Sequence, residues 1–279
     1  MPIDICQEIR MHLEDCLQKV QRAKTQLTAQ ENSVNRSLSR LLLVEDCLEE
    51  ACGTEPDPAL FHLWLSADDL VGQSGELISS LGDRSPNGHV FVQTDNGLKP
   101  SLLIEDGIKS VSFPLDRNAH LESDDWIASG LEGIIAAKSF TLLFTIKKKV
   151  AGWAGAVLGT SIQDAVFSPR FQNDGFSVYG YYNQSWATVQ PVVNAWEVWT
   201  IRCSPTRIEF RKNGQLSNIV EPGVSFVPAG GLLRLGGWAN NYQGANHSLR
   251  ANLTDLLLTP FLSDVDMVQL EQYLLSKLV

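Results

Sequence analysis

Apolar or small residues recur at Cys6, Ile9, Leu13, Cys16, Val20, Ala23, Leu27 and Val34 in alternating steps of three and four, interrupted only by Gln30. That period is a heptad seam. The residues between, among them Glu14, Asp15, Lys19, Arg22 and Lys24, cannot sit in a core, so the pattern predicts an amphipathic helix whose apolar side needs a cover. The phase slips between Val34 and Leu38 and continues through Leu41, Val44 or Glu45, and Leu48. One continuous rod of about 45 residues would reach about 70 Å, and this is the preferred expectation. A turn at Asn32-Ser33 or Asn35-Arg36-Ser37 would instead give a hairpin of half that length. Two covers are open: sister copies in a parallel homo-oligomeric stalk, with a trimer as first choice, or the chain's own globular domain. In the stalk, Ile9, Leu13, Cys16, Val20, Leu27 and Val34 form the interface between copies.

Beyond residue 53 the chemistry changes. No glycine precedes Gly53, no aromatic residue precedes Phe61, and all seven tryptophans come later. Gly53-Thr-Glu-Pro-Asp-Pro58 has helix-stopping glycine and prolines that push their predecessors toward extended backbone, so residues 54–59 read as a linker between a helical arm, 1–53, and a domain over 60–279. In that domain the apolar period falls to two. Phe61–Leu65, His89–Val92, Ser110–Phe113, Phe140–Ile146, Phe176–Tyr181, Trp196–Arg202, Arg207–Arg211, Leu232–Leu235 and Ser248–Thr259 are aromatic and β-branched runs of strand length. Turn signals at Asp83–Gly88, Asp95–Gly97 and Asn213-Gly214 separate them, and about a dozen antiparallel strands are expected. Helix is expected only near Ser123–Ala137 and from Leu262 to Leu278, the latter capped by Ser263 or Asp264. One sheet of so many strands would leave a face wet, so the fold class is mainly β: an antiparallel sandwich or jelly roll carrying a helical coiled-coil arm.

Phe61-His-Leu-Trp-Leu-Ser-Ala-Asp-Asp-Leu70, Gly82-Asp-Arg-Ser-Pro-Asn-Gly-His89 and Val111-Ser-Phe113 resemble, in this order, the opening of a LamG-like jelly-roll domain of the concanavalin A-like lectin/glucanase superfamily. Trp199-Thr-Ile-Arg202, Ile208–Gly214, Leu235-Gly-Gly-Trp238 and Leu253–Asp266 are similar to its later strands and terminal helix, so the resemblance covers residues 60–279. It implies a sandwich. Its functional reach is loose, spanning sugar binding, adhesion and structural roles.

Composition narrows the options. The chain of 279 residues has 44% hydrophobic and 19% charged residues, which suits a folded domain with a substantial core. With 22 basic against 32 acidic side chains its formal charge is −10, which repels polyanions and disfavours nucleic acid. No window approaches the ~20 apolar residues of a membrane span, and Met1–Glu8 does not read as a signal peptide. Cys6, Cys16, Cys47, Cys52 and Cys203 include no CxxC pair, so reduced thiols are expected. The Asn-x-Ser/Thr triplets at Asn35, Asn183, Asn246 and Asn252 read as chance.

Catalytic patterns are sparse. A glycosidase of this superfamily implies carboxylates spaced by two on a strand face, and no Glu-x-Asp-x-Glu occurs. Asp68-Asp69, Glu105-Asp106 and Glu122–Asp125 are expected in turns or helix caps, and His12, His62, His89, His120 and His247 are scattered. The expectation is no enzyme. Asp83, Asn87 and Asp95 are oxygen donors of a type that suits calcium, but they read better as turn formers, so no metal and no cofactor is assigned. Sugar recognition needs flat aromatic faces beside planar polar groups. Two uncharged clusters have that mixture: Tyr181, Tyr182 and Trp186 in the first, and Trp238, Asn240, Asn241, Tyr242 and Asn246 in the second. Either could instead be packing and turn residues. Trp64, Trp196 and Trp199 lie inside strand patterns and are expected in the core.

An oligomerising arm, a short linker and a lectin-like sandwich together imply a virion structural protein: a short trimeric phage fibre or spike, its arm held by other virion proteins, its jelly roll binding host surface glycan, assembled in host cytoplasm. The alternatives are a decoration or assembly protein that binds no sugar, and a cytoplasmic carbohydrate-binding or glycan-processing protein.

Overall fold

A computed structural model describes residues 17–22, 24, 55–116, 118–125, 130–152, 155–160, 168–172, 175–180, 183–221, 231–237 and 249–278. The chain divides into two units, 1–53 and 54–279. Of the first, residues 17–22 are helical, with Leu17 and Val20 well exposed; Ile9, Leu13, Cys16, Leu27 and Val34 lie outside the described residues.

The second unit begins with a 3-10 turn, Pro58–Leu60, whose first amides are capped by Asp57. Its strands are β1 (Leu63–Ser66), β2 (Ser80–Gly82), β3 (Val90–Val92), β4 (Ser101–Glu105), β5 (Ile108–Ser112), β6 (Leu121–Asp125), β7 (Phe140–Lys148), β8 (Gly155–Ala156) and β9 (Leu158–Thr160). Then follow β10 (Ser168–Gln172), β11 (Gly175–Gly180), β12 (Asn183–Trp186), β13 (Trp196–Ser204), β14 (Arg207–Lys212), β15 (Gln215–Val220), β16 (Leu232–Leu235) and β17 (Ala251–Pro260). Two helices accompany them, α1 (Leu131–Ala136) and α2 (Asp264–Ser276).

The strands make two stacked antiparallel layers. The back layer runs β15-β14-β13-β7-β17-β5-β4, with β1 pairing the far half of β17. The front layer joins two ladders, β2-β3-β6-β16-β9 and β8-β10-β11-β12. Val157 joins them: its N–H donates to the Pro169 carbonyl and its own carbonyl accepts from Gly236, each at 2.9 Å. Alternation decides what is buried. Phe140, Leu142, Phe144 and Ile146 of β7 point between the layers, meeting Phe91, Leu121, Phe171, Phe176, Leu233 and Leu235 from the front. Burying each such side chain contributes about 1.5–3 kcal/mol, which makes this core the main stabilising feature.

The outward face of the back layer has its own apolar stripe, Phe61, Trp64, Leu143, Val198 and Leu257, which α2 covers with Leu270 and Leu274. Ser263 caps this helix by accepting from the Asp266 amide at 3.2 Å. Trp64 and Trp199 are fully buried as expected, but on opposite faces of the back layer, and Trp196 is half-buried at its edge.

Most aromatic runs form the strands expected of them, and Asn213-Gly214, both at positive φ, turn β14 tightly into β15. One expectation is corrected. Residues 121–125 are a strand, not a turn or helix start, and helix begins only at Leu131. Pairing of β6 with both β3 and β16 outweighs the turn preference of Glu-Ser-Asp-Asp. Asn252, at 3% exposure inside β17, cannot serve as a glycosylation acceptor in the folded protein.

Candidate functional site

The two aromatic clusters singled out from the sequence are rooted in the front layer. Tyr181 and Tyr182 lie outside the described residues, between Gly180 and Asn183, which are partners across β11 and β12. Trp186 ends β12, its Cα opposite Ser177. Trp238, Asn240, Asn241, Tyr242 and Asn246 also lie outside the described residues, between Gly237 and Leu249. The Leu249 amide donates to the Gly236 carbonyl at 2.7 Å, so the two roots of that loop are pinned together. Strand directions separate the clusters. β16 is antiparallel to β9, the continuous β8-β9 segment is antiparallel to β10, and β10 is antiparallel to β11. Segments following β16 and β11 therefore leave from opposite ends of the front layer, and the structure does not bring the two roots together.

A polar group that the sequence did not single out stands beside the Gly236–Leu249 root. The Arg234 Nε donates to Glu122 Oε1 at 2.7 Å across the β6-β16 ladder. The His120 ring lies 3.4 Å from the same carboxylate. That ring, opposed by partial burial and reinforced by the Arg234 guanidinium, holds the Glu122 carboxyl down to about 2. The His120 Nδ1 sits 2.8 Å from the Asn118 carbonyl and its Nε2 is 3.2 Å from the Gln93 amide nitrogen. Gly237 backs onto this ring: a Cβ there would lie 3.1 Å from the His120 Cβ.

The front layer's outward face is closed around Arg170 and Arg234 but open along β3, where Val90 and Val92 are 51% and 45% exposed. Ser168 and Arg170 alternate with core-facing Phe171, and Arg234 stands between core-facing Leu233 and Leu235, yet all three are buried, at 0%, 3% and 7% exposure.

The acidic groups weighed for catalysis or calcium are mostly spoken for. Asp83 Oδ1 accepts from the Trp64 and Ser85 amides, both at 2.8 Å, and its Oδ2 accepts from the Ser85 hydroxyl at 2.6 Å. Asp95 accepts from the Gly97 amide, and Asn87 donates to the His62 carbonyl, each at 2.8 Å. All three tie turns together. Asp69 pairs with Arg84, Asp68 with Lys277 and Glu105 with Lys147. Among the described residues no group of three or more His, Cys, Asp or Glu side chains could hold a metal ion, and no helix is long and apolar enough to cross a membrane.

Solved structures share this architecture. Domain 4 of AbnA, a GH43 extracellular arabinanase from Geobacillus stearothermophilus determined with arabinotriose, superposes with a TM-score of 0.54 at 11% identity, over 77% of this chain and 100% of that one. Trypanosoma rangeli sialidase gives 0.51 at 14% identity, over 80% of this chain but 34% of its own. A botulinum neurotoxin type C chain, from work on its interaction with two ganglioside molecules, gives 0.52 at 13% identity, over 78% and 52%. At such identities the likeness is one of fold: a lectin-like β-sandwich jelly roll. No protein-family model and no curated protein sequence matches the chain.

Proposed function

We propose that the protein is a non-enzymatic, multivalent glycan-binding attachment protein: a short trimeric fibre or spike of a phage particle, assembled in the host cytoplasm, its helical arm anchoring it to other virion proteins. The observation that carries the binding half is the sandwich itself, which matches over its whole length an arabinanase domain determined with arabinotriose. The rim loop rooted at Gly236–Leu249 contains Trp238, Asn240, Asn241 and Tyr242, an aromatic and amide set suited to a sugar ring. The assembly half rests on the heptad seam of residues 6–34 and on the exposure of Val20 and Leu17, at 64% and 59%. Three weak sites on one stalk bind a surface far more tightly than one site.

A second reading, a decoration protein that binds no sugar, draws support from the middle of the front layer, where Ser168 and Arg170 are buried. A glycan array separates the two. Binding by the full chain that drops at least tenfold in Trp238→Ala or Tyr242→Ala supports the first; no binding to any glycan leaves the second. Light scattering tests the arm: three times the chain mass is expected for the full protein, and a monomer for a version starting at Pro58. Equal monomer masses would remove the stalk.

A further inference from the structure

The outward face of the back layer is only partly covered by α2. Beyond the helix, three cations gather on neighbouring positions of its two central strands. Lys147 and Lys149 are two residues apart on the same side of the β7 run, and Arg250 precedes β17 directly opposite Lys149, whose amide donates to the Arg250 carbonyl at 3.0 Å. Like charges facing each other across a ladder repel, all the more when half-buried. Glu105, at the tip of the β4-β5 hairpin, accepts from Lys147 at 2.7 Å.

Lys149 is the unbalanced member. Its ammonium donates to the Ser112 hydroxyl at 2.7 Å and to the Phe113 carbonyl at 2.9 Å, which uses two of its three protons. Among the described residues no carboxylate is in ion-pair contact with it, and burial lowers its pKa to about 8, only partly offset by the charge of Glu105. Next to it, Asn252 is the register partner of both Ser112 and Lys147 and is 3% exposed, with an Oδ1 that has no hydrogen-bond partner. Thr145 and Thr254, in the adjoining row of the same two strands, also carry partnerless buried hydroxyl oxygens. These three atoms are shut off from solvent, so the cation that a ligand can reach here is Lys149, half-buried beside Lys147. The half-buried indole of Trp196, 5.9 Å from the Lys147 nitrogen, adds an apolar wall.

We propose that this cluster binds the acidic group of a saccharide, a carboxylate or a sulfate ester, with Lys149 and Lys147 as its cations. The saccharide part rests on the glycan-binding reading above; the anion part stands without it. The cluster is separate from the front-layer loops, so a glycan with one acidic and one neutral end could be held at two places.

Titration calorimetry on the full chain tests this, using a glucuronate-terminated disaccharide, a sulfated disaccharide, neutral lactose and inorganic sulfate. Either acidic sugar is expected to bind at least tenfold more tightly than lactose or inorganic sulfate, and Lys149→Met is expected to remove that preference while leaving the circular-dichroism spectrum unchanged. Asn252→Asp supplies the missing carboxylate from within; it is expected to abolish acidic-sugar binding and raise the melting temperature. Acidic-sugar binding unchanged in both variants overturns the site. Inorganic sulfate binding as tightly as the acidic sugars overturns the saccharide assignment. Array binding of neutral glycans that depends on Trp238 but not on Lys149, with no preference for acidic sugars, sinks this inference and leaves the glycan-binding reading intact.

Discussion

The Thr200 hydroxyl donates to the Glu271 carboxylate at 2.7 Å, joining the middle of the back layer to the buried side of α2. Arg211 donates to the same carboxylate through Nε at 2.8 Å and through Nη2 at 3.1 Å, and Glu271 is 1% exposed. The helix is thus fastened by a charged, satisfied network as well as by Leu270 and Leu274.

Removing that carboxylate leaves the Arg211 guanidinium to the longer 3.6 Å contact with Glu209, which Arg202 and Arg207 also share. Glu271→Ala is expected to lower stability by about 3–5 kcal/mol, and Glu271→Gln by less, because the amide oxygen can still accept from Thr200. Urea unfolding followed by tryptophan fluorescence measures both. A loss under 1 kcal/mol for the alanine variant would show that α2 is held by its apolar side alone.

Gly236 sits at φ +80°, and a Cβ there would fall 2.0 Å from the Phe113 ring. Backbone strain and overpacking combine, so Gly236→Ala is expected to cost about 3 kcal/mol and to disturb the loop root at Leu249. Calorimetric melting tests the cost, and hydrogen exchange at the Leu249 amide tests its location.

Glu122 titrates near 2 in the fold against an ordinary value of 4.5. A depressed carboxyl stabilises the protein above pH 4.5, and that contribution drains away as the pH falls toward 2. Urea midpoints measured from pH 6 to pH 2.5 should therefore fall less steeply for Glu122→Gln than for the natural protein. Parallel curves would mean that the His120 and Arg234 contacts to Glu122 do not persist in solution.

Lys149 gives the same slope in a higher pH window. Its folded pKa, about 8, lies below the ordinary 10.5, so the unfolded chain binds the proton more tightly and stability from this group rises between pH 8 and 10.5. The natural protein should gain on Lys149→Met across that window. A constant difference between the two would show that the ammonium is better solvated than its burial implies.

Cys203 is fully buried in β13, and burial pushes its thiol well above the usual range. Brief treatment with N-ethylmaleimide followed by peptide mapping should leave it unmodified in the native protein and label it in urea. Native labelling at a rate close to that in urea would mean that the layers open far more often than their packing suggests.

Much of the scaffold was legible because its signals are local. Phe140–Ile146 alternates over a full strand, Asn213-Gly214 demands a tight turn, and Ser263 precedes a helix it does cap. Strands such as β8, β9 and β10 have no comparable run; Gly155-Ala156 is extended only because Arg170 and Phe171 lie beside it. Glu122 misled for the same reason, since its neighbours in sequence favour a turn whereas its partners, Val92 and Arg234, come from distant strands. The cation cluster could not be read from the sequence at all. Ser112, Lys149 and Asn252 are separated by up to 140 positions along the chain, and only the pairing of β5, β17 and β7 sets them together. The aromatic clusters of the front-layer rims were visible as composition, and their roots are fixed by Gly180 with Asn183 and by Gly236 with Leu249.

β17 lies between β7 on one side and β5 and β1 on the other, yet it is the last strand described along the chain. During synthesis the back layer has no middle until residues 251–260 emerge, so β1, β5 and β7 must wait with unpaired edges while most of the domain already exists. Closure comes in one late step, and a ribosome stalled before Ala251 would release a sticky half-sheet instead of a partly finished sandwich.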